Sequence, residues 1–297
     1  MDRKILLTGK NGQVGFELQR ALKPLGEVIA VGSKDCDFAN SNAVKNLIRQ
    51  LKPDIIINPA AYTAVDDAEI NKQLAFSINA DALRVLGLES EKIGACVIHF
   101  STDYVFDGTK QDPYVEQDKP NPLNIYGLSK LEGEEALLSS CSTSLILRTS
   151  WVFGVHGSNF AKKILSLAQQ REKLYLVANQ VGSPTSACLL ADVTAHLLKS
   201  YLDFGKENFP FGLYHVVSEG YTSWYEYGKF VVEEGLKSGK KLTLQPSCIL
   251  PISSHEYPTK ATRPANSRLN TQHFKNTFKF DLPCWQDSLS HVLKQIL

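Results

Sequence analysis

Nowhere in its 297 residues does the chain hold an apolar run near the roughly 20 residues needed to cross a bilayer. The opening stretch, MDRKILLTGKNGQVG, is also too short in apolar residues for a signal peptide. The expected location is therefore the cytoplasm, with no membrane as partner. Charge of one sign is missing too: 32 Lys and Arg stand against 31 Asp and Glu, a formal net charge of +1. No broad field argues for nucleic acid, and aromatics such as Trp151 and Trp224 are not interleaved with a basic stripe. The six cysteines (36, 96, 141, 188, 248 and 284) form no CxxC pair and no His cluster joins them. That excludes a zinc site and a disulfide frame, and leaves small reduced hydrophobes. Internal repeats and low-complexity tracts are absent as well.

What is present is a rhythm. KILLTG (4–9), EVIAVG (27–32), DIIINPA (54–60), ACVIHFST (95–102) and TSLILRTS (143–150) read as short buried strands. Helical patterns separate them, one over 41–53 stopped by Pro53. Continuous apolar strands alternating with helices imply a parallel sheet covered on both faces, the α/β doubly wound Rossmann class. After about residue 150 the rhythm changes, with helices at NFAKKILSLAQQREKL and LLADVTAHLLKSYLDFG and one more strand at GLYHVVSEG. The expected division is a dinucleotide-binding domain over 1–150 and a smaller α/β substrate domain over 151–297, later segments returning to the first. The Pro- and Ser-rich stretch 246–268 lacks periodicity and reads as an ordered binding loop or a connection.

TGKNGQVG puts Gly9, Gly12 and Gly15 between the first strand and the first helix. Such a turn lets the backbone approach a pyrophosphate, and the helix N-terminus favours its charge. The spacing is GxxGxxG, which a plain tight turn would also produce. A site for NAD usually carries an acidic residue at the end of the second strand, for the ribose 2′-hydroxyl. Here that strand ends in Gly32, Ser33 and Lys34, with no carboxylate before Asp35 and Asp37. Lys34 suits a 2′-phosphate, so NADPH is expected to serve at least as well as NADH. Asp37 and Phe38 are expected to flank the adenine.

NIYGLSKLEGE (124–134) holds Tyr126 and Lys130 one helical spacing apart. Most such pairs are solvated decoration. Thr102, however, ends the fourth strand, where ligands bind in an open α/β sheet. A hydroxyl, a phenol and an ammonium at one mouth suit hydride transfer to a ketone: the developing alkoxide needs a proton donor, and the carbonyl oxygen a hydrogen bond. An adjacent ammonium, with the positive charge of the oxidised nicotinamide nearby, is expected to lower the phenol's pKa.

The glycine turn, the Thr after the fourth strand and YxxxK resemble the extended short-chain dehydrogenase/reductase family. GKNGQVGFELQ, NPAAYTAVDDAE, STDYVFDGT, NIYGLSKLEGE, LRTSWVFG, NFAKKIL, NQVGSPT and RPANSRLN follow in order over residues 4 to about 270 and are similar to the dTDP-4-dehydrorhamnose reductase family. The resemblance implies NAD(P)H-dependent reduction of the C4 ketone of dTDP-4-dehydro-β-L-rhamnose. It implies Tyr126 as proton donor, Lys130 as its modulator and ribose contact, and Thr102 on the sugar's reacting oxygen. Gly12, Gln13 and Val14 would contact the pyrophosphate, and Ala61, Tyr62 and Thr63 would line the cofactor channel. Asp103 and Trp151 would touch the deoxysugar, and Asn159, Gln180 and Arg263 would hold the nucleotide diphosphate. For Arg263 the physical case is independent, since a guanidinium suits a diphosphate.

Asn79 reads as a helix-bending or bridging residue, and Asp66 and Asp67 as a solvated helix start. Some family members are dimers bridged by magnesium through glutamates. Glu17 is in place, but Cys188 stands where a second carboxylate is expected and the final SLSHVLKQIL has none. No magnesium-bridged dimer and no metal are therefore expected. The rival readings are a 4,6-dehydratase or 4-epimerase of the same fold, and a non-catalytic cofactor-binding subunit. A dehydratase typically carries Asp-Glu after the threonine, whereas Tyr104 follows Asp103 here.

Overall fold

The computed structural model describes residues 3–297. β1 (Lys4–Leu7) passes through the glycine turn into α1 (Gln13–Ala21), and β2 (Glu27–Ala30) leads to α2 (Ser41–Leu51). β3 (Ile55–Asn58) is followed by α3 (Val65–Ala68), α4 (Lys72–Phe76), a π-helical turn over Ser77–Asp81, and α5 (Ala82–Ile93). β4 (Cys96–Thr102), α6 (Ile125–Ser140) and β5 (Ser144–Thr149) follow. The second half runs β6 (Val152–Phe153), α7 (Phe160–Gln170), β7 (Leu174–Val177), β8 (Val181–Gly182), β9 (Thr185–Ser186) and α8 (Ala187–Phe204). It continues with β10 (Gly212–His215), β11 (Thr222–Ser223), α9 (Trp224–Lys237), β12 (Ile249–Ile252), α10 (Gln272–Phe278) and α11 (Trp285–Ile296).

Six strands form one parallel sheet in the order β10-β5-β4-β3-β1-β2. The period-two alternation of a strand divides its residues between two faces. Ile5, Leu7, Ile55, Ile57, Ile98 and Leu147 pack on one side with Leu18 of α1 and Leu190 and Leu197 of α8. Leu6, Ile56, Val97 and Ile146 pack on the other with Ile48 of α2, Leu86 of α5 and Leu137 of α6. Both faces are covered, which is why β3 and β4 are buried throughout and open on the apolar runs Ile55–Ile57 and Cys96–Ile98. The fold is thus the doubly wound class. The chain leaves β1 for β2 on one side and returns to β3 on the other, so the switch point lies at the carboxyl ends of β1 and β3.

A separate apolar core joins α7, α9, α11, β7 and β12, with Ile164, Tyr227, Val231, Ile249, Trp285 and Leu289 at its centre. The second half is not set wholly apart, however. β10 pairs with β5, and α8 packs on α1. Capping sets several boundaries. Asn40 accepts hydrogen bonds from the Asn42 and Ala43 amides at the start of α2, and Lys52 turns left-handed (φ 46°) just before Pro53. The helix expected to reach residue 53 therefore ends at Leu51. The aperiodic stretch 246–268 contributes β12, which pairs in parallel with β7.

Candidate active site

The glycine turn is built by steric necessity. Gly9 has φ +57°, and a Cβ on it would come within 2.9 Å of the Ala60 amide nitrogen at the end of β3. A Cβ on Gly15 would lie 2.1 Å from the Gly9 carbonyl oxygen. The turn is therefore pressed onto the switch point, and α1 onto the turn. α1 starts at Gly12 without a side-chain cap, so its first amides keep their hydrogens for a ligand. A cavity of about 800 Å³ opens here, lined by the turn, by Gly32, Ser33, Asp37 and Phe38, and by Ala61, Thr63, Thr102, Asp103, Tyr126, Lys130 and Trp151. The residues fit a dinucleotide: a Cβ-free cradle, uncapped amides, and a slot running from the end of β2 to Tyr126.

Three expected residues sit elsewhere. Lys34 is exposed and outside the lining, because residues 33–35 turn back so that Asp35 accepts the Gly32 amide (2.8 Å). Lys10 also lies outside the lining but is half-buried beside Gly32, with its Nζ 2.6 Å from Asp35. Tyr62 is held by its backbone: its amide donates to Asn79 Oδ1 (2.8 Å) and its carbonyl accepts from Asn79 Nδ2 (3.1 Å), and it does not line the cavity. Asn159 caps α7 and donates to Gln13 Oε1 (3.0 Å), so its carboxamide faces the glycine turn and lines neither large cavity. Gln13 in turn donates to the Val152 carbonyl (3.3 Å).

Tyr126 and Lys130 share one helix face at the same cavity, with the ammonium turned towards β4. Lys130 Nζ donates to the Phe100 carbonyl (2.7 Å) and lies 2.9 Å from His99 Nε2. Burial pushes the Tyr126 phenol up to about 12, with the Thr102 hydroxyl opposing. Burial also pushes Lys130 down to about 7, with Glu134 opposing. The Thr102 hydroxyl donates to Asp103 Oδ1 (3.0 Å) and accepts the Tyr104 amide (3.2 Å). Asp103 is buried, its other oxygen makes no hydrogen bond of ordinary length, and burial raises its carboxyl to about 7 against the opposing Ser267 and Thr102 hydroxyls. An unpartnered buried oxygen in a cavity wall is a place for a ligand's hydroxyl.

Trp151 is one of three non-glycine residues at positive φ (46°) among those described. It stacks on Trp224 at 3.5 Å and 8°, and Gly182 leaves the space its ring takes, since a Cβ there would fall 2.5 Å from the indole. A second cavity, of about 1030 Å³, continues past Trp224, which lines both. Gln180 and Arg263 line it, with Lys163, Arg171 and Lys173. Arg263 is not free: it donates to both oxygens of Asp66 (2.7 and 3.3 Å), and Asp66 also accepts the Ala261 amide (3.0 Å). Asp66, expected as a solvated helix start, is instead the anchor of the 259–266 segment.

Sequence reasoning missed Lys10, Asp66, Trp224 and His99. Trp224 and His99 carried a faint signal, as a large aromatic at a helix start and a polar residue inside an apolar strand. Lys10 and Asp66 carried none, because their partners are distant in the chain. Glu17 lies near Cys188, whose thiol burial raises, and Cys188 Sγ lies 3.7 Å from Asp192. Among the described residues no group of three or more His, Cys, Asp or Glu is arranged to hold a metal ion, and no helix is long and apolar enough to cross a membrane.

The family model described as RmlD substrate binding domain matches residues 3–297. The chain is 48% identical over 296 residues to a dTDP-4-dehydrorhamnose reductase of Escherichia coli K12, covering 98% of this chain and 97% of that one. It is 40% identical to one of Burkholderia thailandensis over 99% of both chains. Among solved structures it is similar to the dTDP-4-dehydrorhamnose reductase of Bacillus anthracis in complex with NADP, at TM-score 0.89 and 33% identity over 99% of this chain and 100% of that one. With a sequence match that spans both cores and a backbone that superposes along its length, the chain belongs to the dTDP-4-dehydrorhamnose reductase family.

Proposed function

We propose that the protein reduces the C4 ketone of dTDP-4-dehydro-β-L-rhamnose to the alcohol, giving dTDP-L-rhamnose, with NADPH as cofactor and NADH as a possible substitute. The observation that carries this reading is the convergence of Thr102, Asp103, Tyr126 and Lys130 on a cavity that begins at the glycine turn and adjoins a second, basic one. When bound, the reduced nicotinamide supplies the hydride. Gly9, Gly12, Gln13, Val14 and Gly15 hold the pyrophosphate on the open end of α1. Lys10, rather than Lys34, meets a 2′-phosphate. Gln180 and Arg263 face the sugar nucleotide's diphosphate.

Tyr126 donates the proton that quenches the alkoxide at C4. A raised phenol pKa does not hinder this direction, because a sugar alkoxide is more basic than a phenolate, and the neutral phenol is the form required. Thr102 hydrogen-bonds the ketone oxygen by turning its hydroxyl away from Asp103. Asp103 presents its unpartnered oxygen to a sugar hydroxyl, and Trp151 forms the wall beside it.

The test is a panel of 4-keto sugar nucleotides incubated with purified protein and NADPH, following the loss of reduced-cofactor absorbance. Stoichiometric oxidation of NADPH with the dTDP-linked 4-keto-6-deoxysugar is expected. Turnover without net cofactor consumption would point to an epimerase or dehydratase, and would end this reading.

A further inference from the structure

Lys130 reaches two acceptors, and one of them is a side chain with no assigned role. His99 is fully buried in β4. Its Nε2 lies 2.9 Å from Lys130 Nζ, and its Nδ1 meets both an acceptor, the Asn58 carbonyl oxygen at 2.9 Å, and a donor, Asn58 Nδ2 at 3.0 Å, so the contact at Nε2 decides between them. Asn58 is the register partner of His99 in the neighbouring strand, and the Thr8 hydroxyl at the end of β1 donates to its Oδ1. Thr8, Asn58 and His99 thus form a buried row across the ends of three adjacent strands, and the row stops at Lys130.

The donor inventory decides the protonation. Below about pH 7, where Lys130 is the ammonium, it has three hydrogens and no lone pair, so the imidazole nitrogen facing it must accept. The hydrogen of a neutral ring then sits on Nδ1, where the Asn58 carbonyl receives it. Resting on the reductase reading above, we infer that His99 is a positioning residue for Lys130: a neutral Nδ1–H imidazole that takes one ammonium hydrogen, while Phe100 takes a second and the third is left for the cavity.

The other groups facing Lys130 are consistent with this division. Glu134, one turn further along α6, is occupied by Arg148 of β5 through two hydrogen bonds (2.9 and 2.6 Å). Tyr126 lies one turn back, and Asp103 faces the same cavity beyond Thr102. Neither ring nitrogen of His99 is left without a partner, and burial holds the imidazole well below its usual pKa, so it stays neutral where the enzyme works.

The experiment has two parts. The first reads the ligand-free protein: 15N-detected NMR of the imidazoles, with the His99 signals assigned by their loss in His99→Gln. A neutral Nδ1–H tautomer is expected from pH 5.5 to 6.5, where Lys130 is charged. An Nε2–H tautomer, or titration within that range, overturns the proposal. The second reads the pH profile of kcat for wild type, His99→Leu and His99→Gln. Leu removes the acceptor and is expected to move the alkaline limb down by about one pH unit, since the charged amine loses a hydrogen bond. Gln places an acceptor oxygen near the position of Nε2 and is expected to restore most of the shift. A Leu profile that superposes on wild type, or a Gln variant no better than Leu, overturns it. If His99→Leu does not fold, the tautomer and the Gln profile, which should lie within about half a unit of wild type, still decide. If the wild-type protein reduces no 4-keto sugar nucleotide, the functional reading fails while the tautomer result stands by itself.

Discussion

Arg263 and Asp66 lie 197 positions apart in the chain, yet the guanidinium donates to both carboxylate oxygens, at 2.7 and 3.3 Å. This fork ties the 259–266 segment to α3 and fixes where the guanidinium stands in the wall of the second cavity. Asp66→Asn keeps the shape and removes the charge. The pair is part-exposed, so the loss of stability should be small, about 0–1 kcal/mol. The loss of orientation should be larger. KM for the sugar nucleotide is expected to rise roughly 5–10-fold with kcat changed less, and NADPH affinity by fluorescence should not move. An equal fall in kcat would place Asp66 in the chemistry instead.

Tyr126 is the expected proton donor, and its ring rests edge-on against Tyr104 at 5.8 Å. Tyr126→Phe preserves that packing and deletes one hydroxyl. Turnover is expected to drop by about 10²–10⁴, with NADPH Kd held within roughly twofold. Single-turnover measurements with saturating cofactor check this. Near-normal turnover would move the acid to another group, with Asp103 the first candidate.

At the adenosine end the choice lies between two lysines. Neither lines the cavity, but Lys10 is half-buried and paired with Asp35 beside Gly32, whereas Lys34 is exposed. Lys10→Ala is expected to raise KM for NADPH about tenfold while leaving NADH nearly unchanged, a loss of about 1.4 kcal/mol of phosphate binding. Lys34→Ala should alter neither cofactor by more than about twofold. The reverse pattern would restore the reading taken from the sequence.

Asp103 predicts a pH dependence of stability. Its carboxyl is raised to about 7 by burial, from an ordinary value of 3.8. The folded chain therefore holds a proton that the unfolded chain has lost between those values. Through this one group, stability is full below about pH 4 and falls as pH rises towards 7, by on the order of 1.4 kcal/mol per unit. Asp103→Asn should flatten that part of the Tm-against-pH curve. A variant curve parallel to wild type from pH 4.5 to 7.5 would show that the carboxyl is ionised throughout.

The parts legible in the sequence are those written locally. The five strands of the first half announced themselves because a strand covered on both faces has to be apolar, and the glycine turn because its close approach forbids a Cβ. Thr102, Tyr126 and Lys130 followed from their places at a strand end and on a helix face. What escaped were pairings made by the sheet. Nothing near Lys130 in the sequence shows that its ammonium meets His99, because strand β4 alone brings them together. The same holds for Asp66 and Arg263, and for Lys10, whose turn had to be folded before Asp35 came within reach. The direction of the Lys130 ammonium, towards His99 and the Phe100 carbonyl, escaped for a related reason. Helical spacing sets which face two side chains share, and their partners elsewhere in the fold set where the charged ends point. The helices α9 and α11 escaped notice because their apolar stripes pack on a small second core and not on the sheet, and α10 because its seven residues put only Phe274 and Phe278 into the sheet's core.

The strand β10 has a consequence for how the molecule comes apart. It is drawn from the second half of the chain, yet it closes the edge of the first half's sheet, while α8 covers α1. Cutting the polypeptide near residue 150 would strip one edge and one face from the sheet that carries the glycine turn, so neither fragment keeps a closed interior. Cofactor pocket and sugar pocket therefore melt together, and a ligand seated in either should delay a single shared transition.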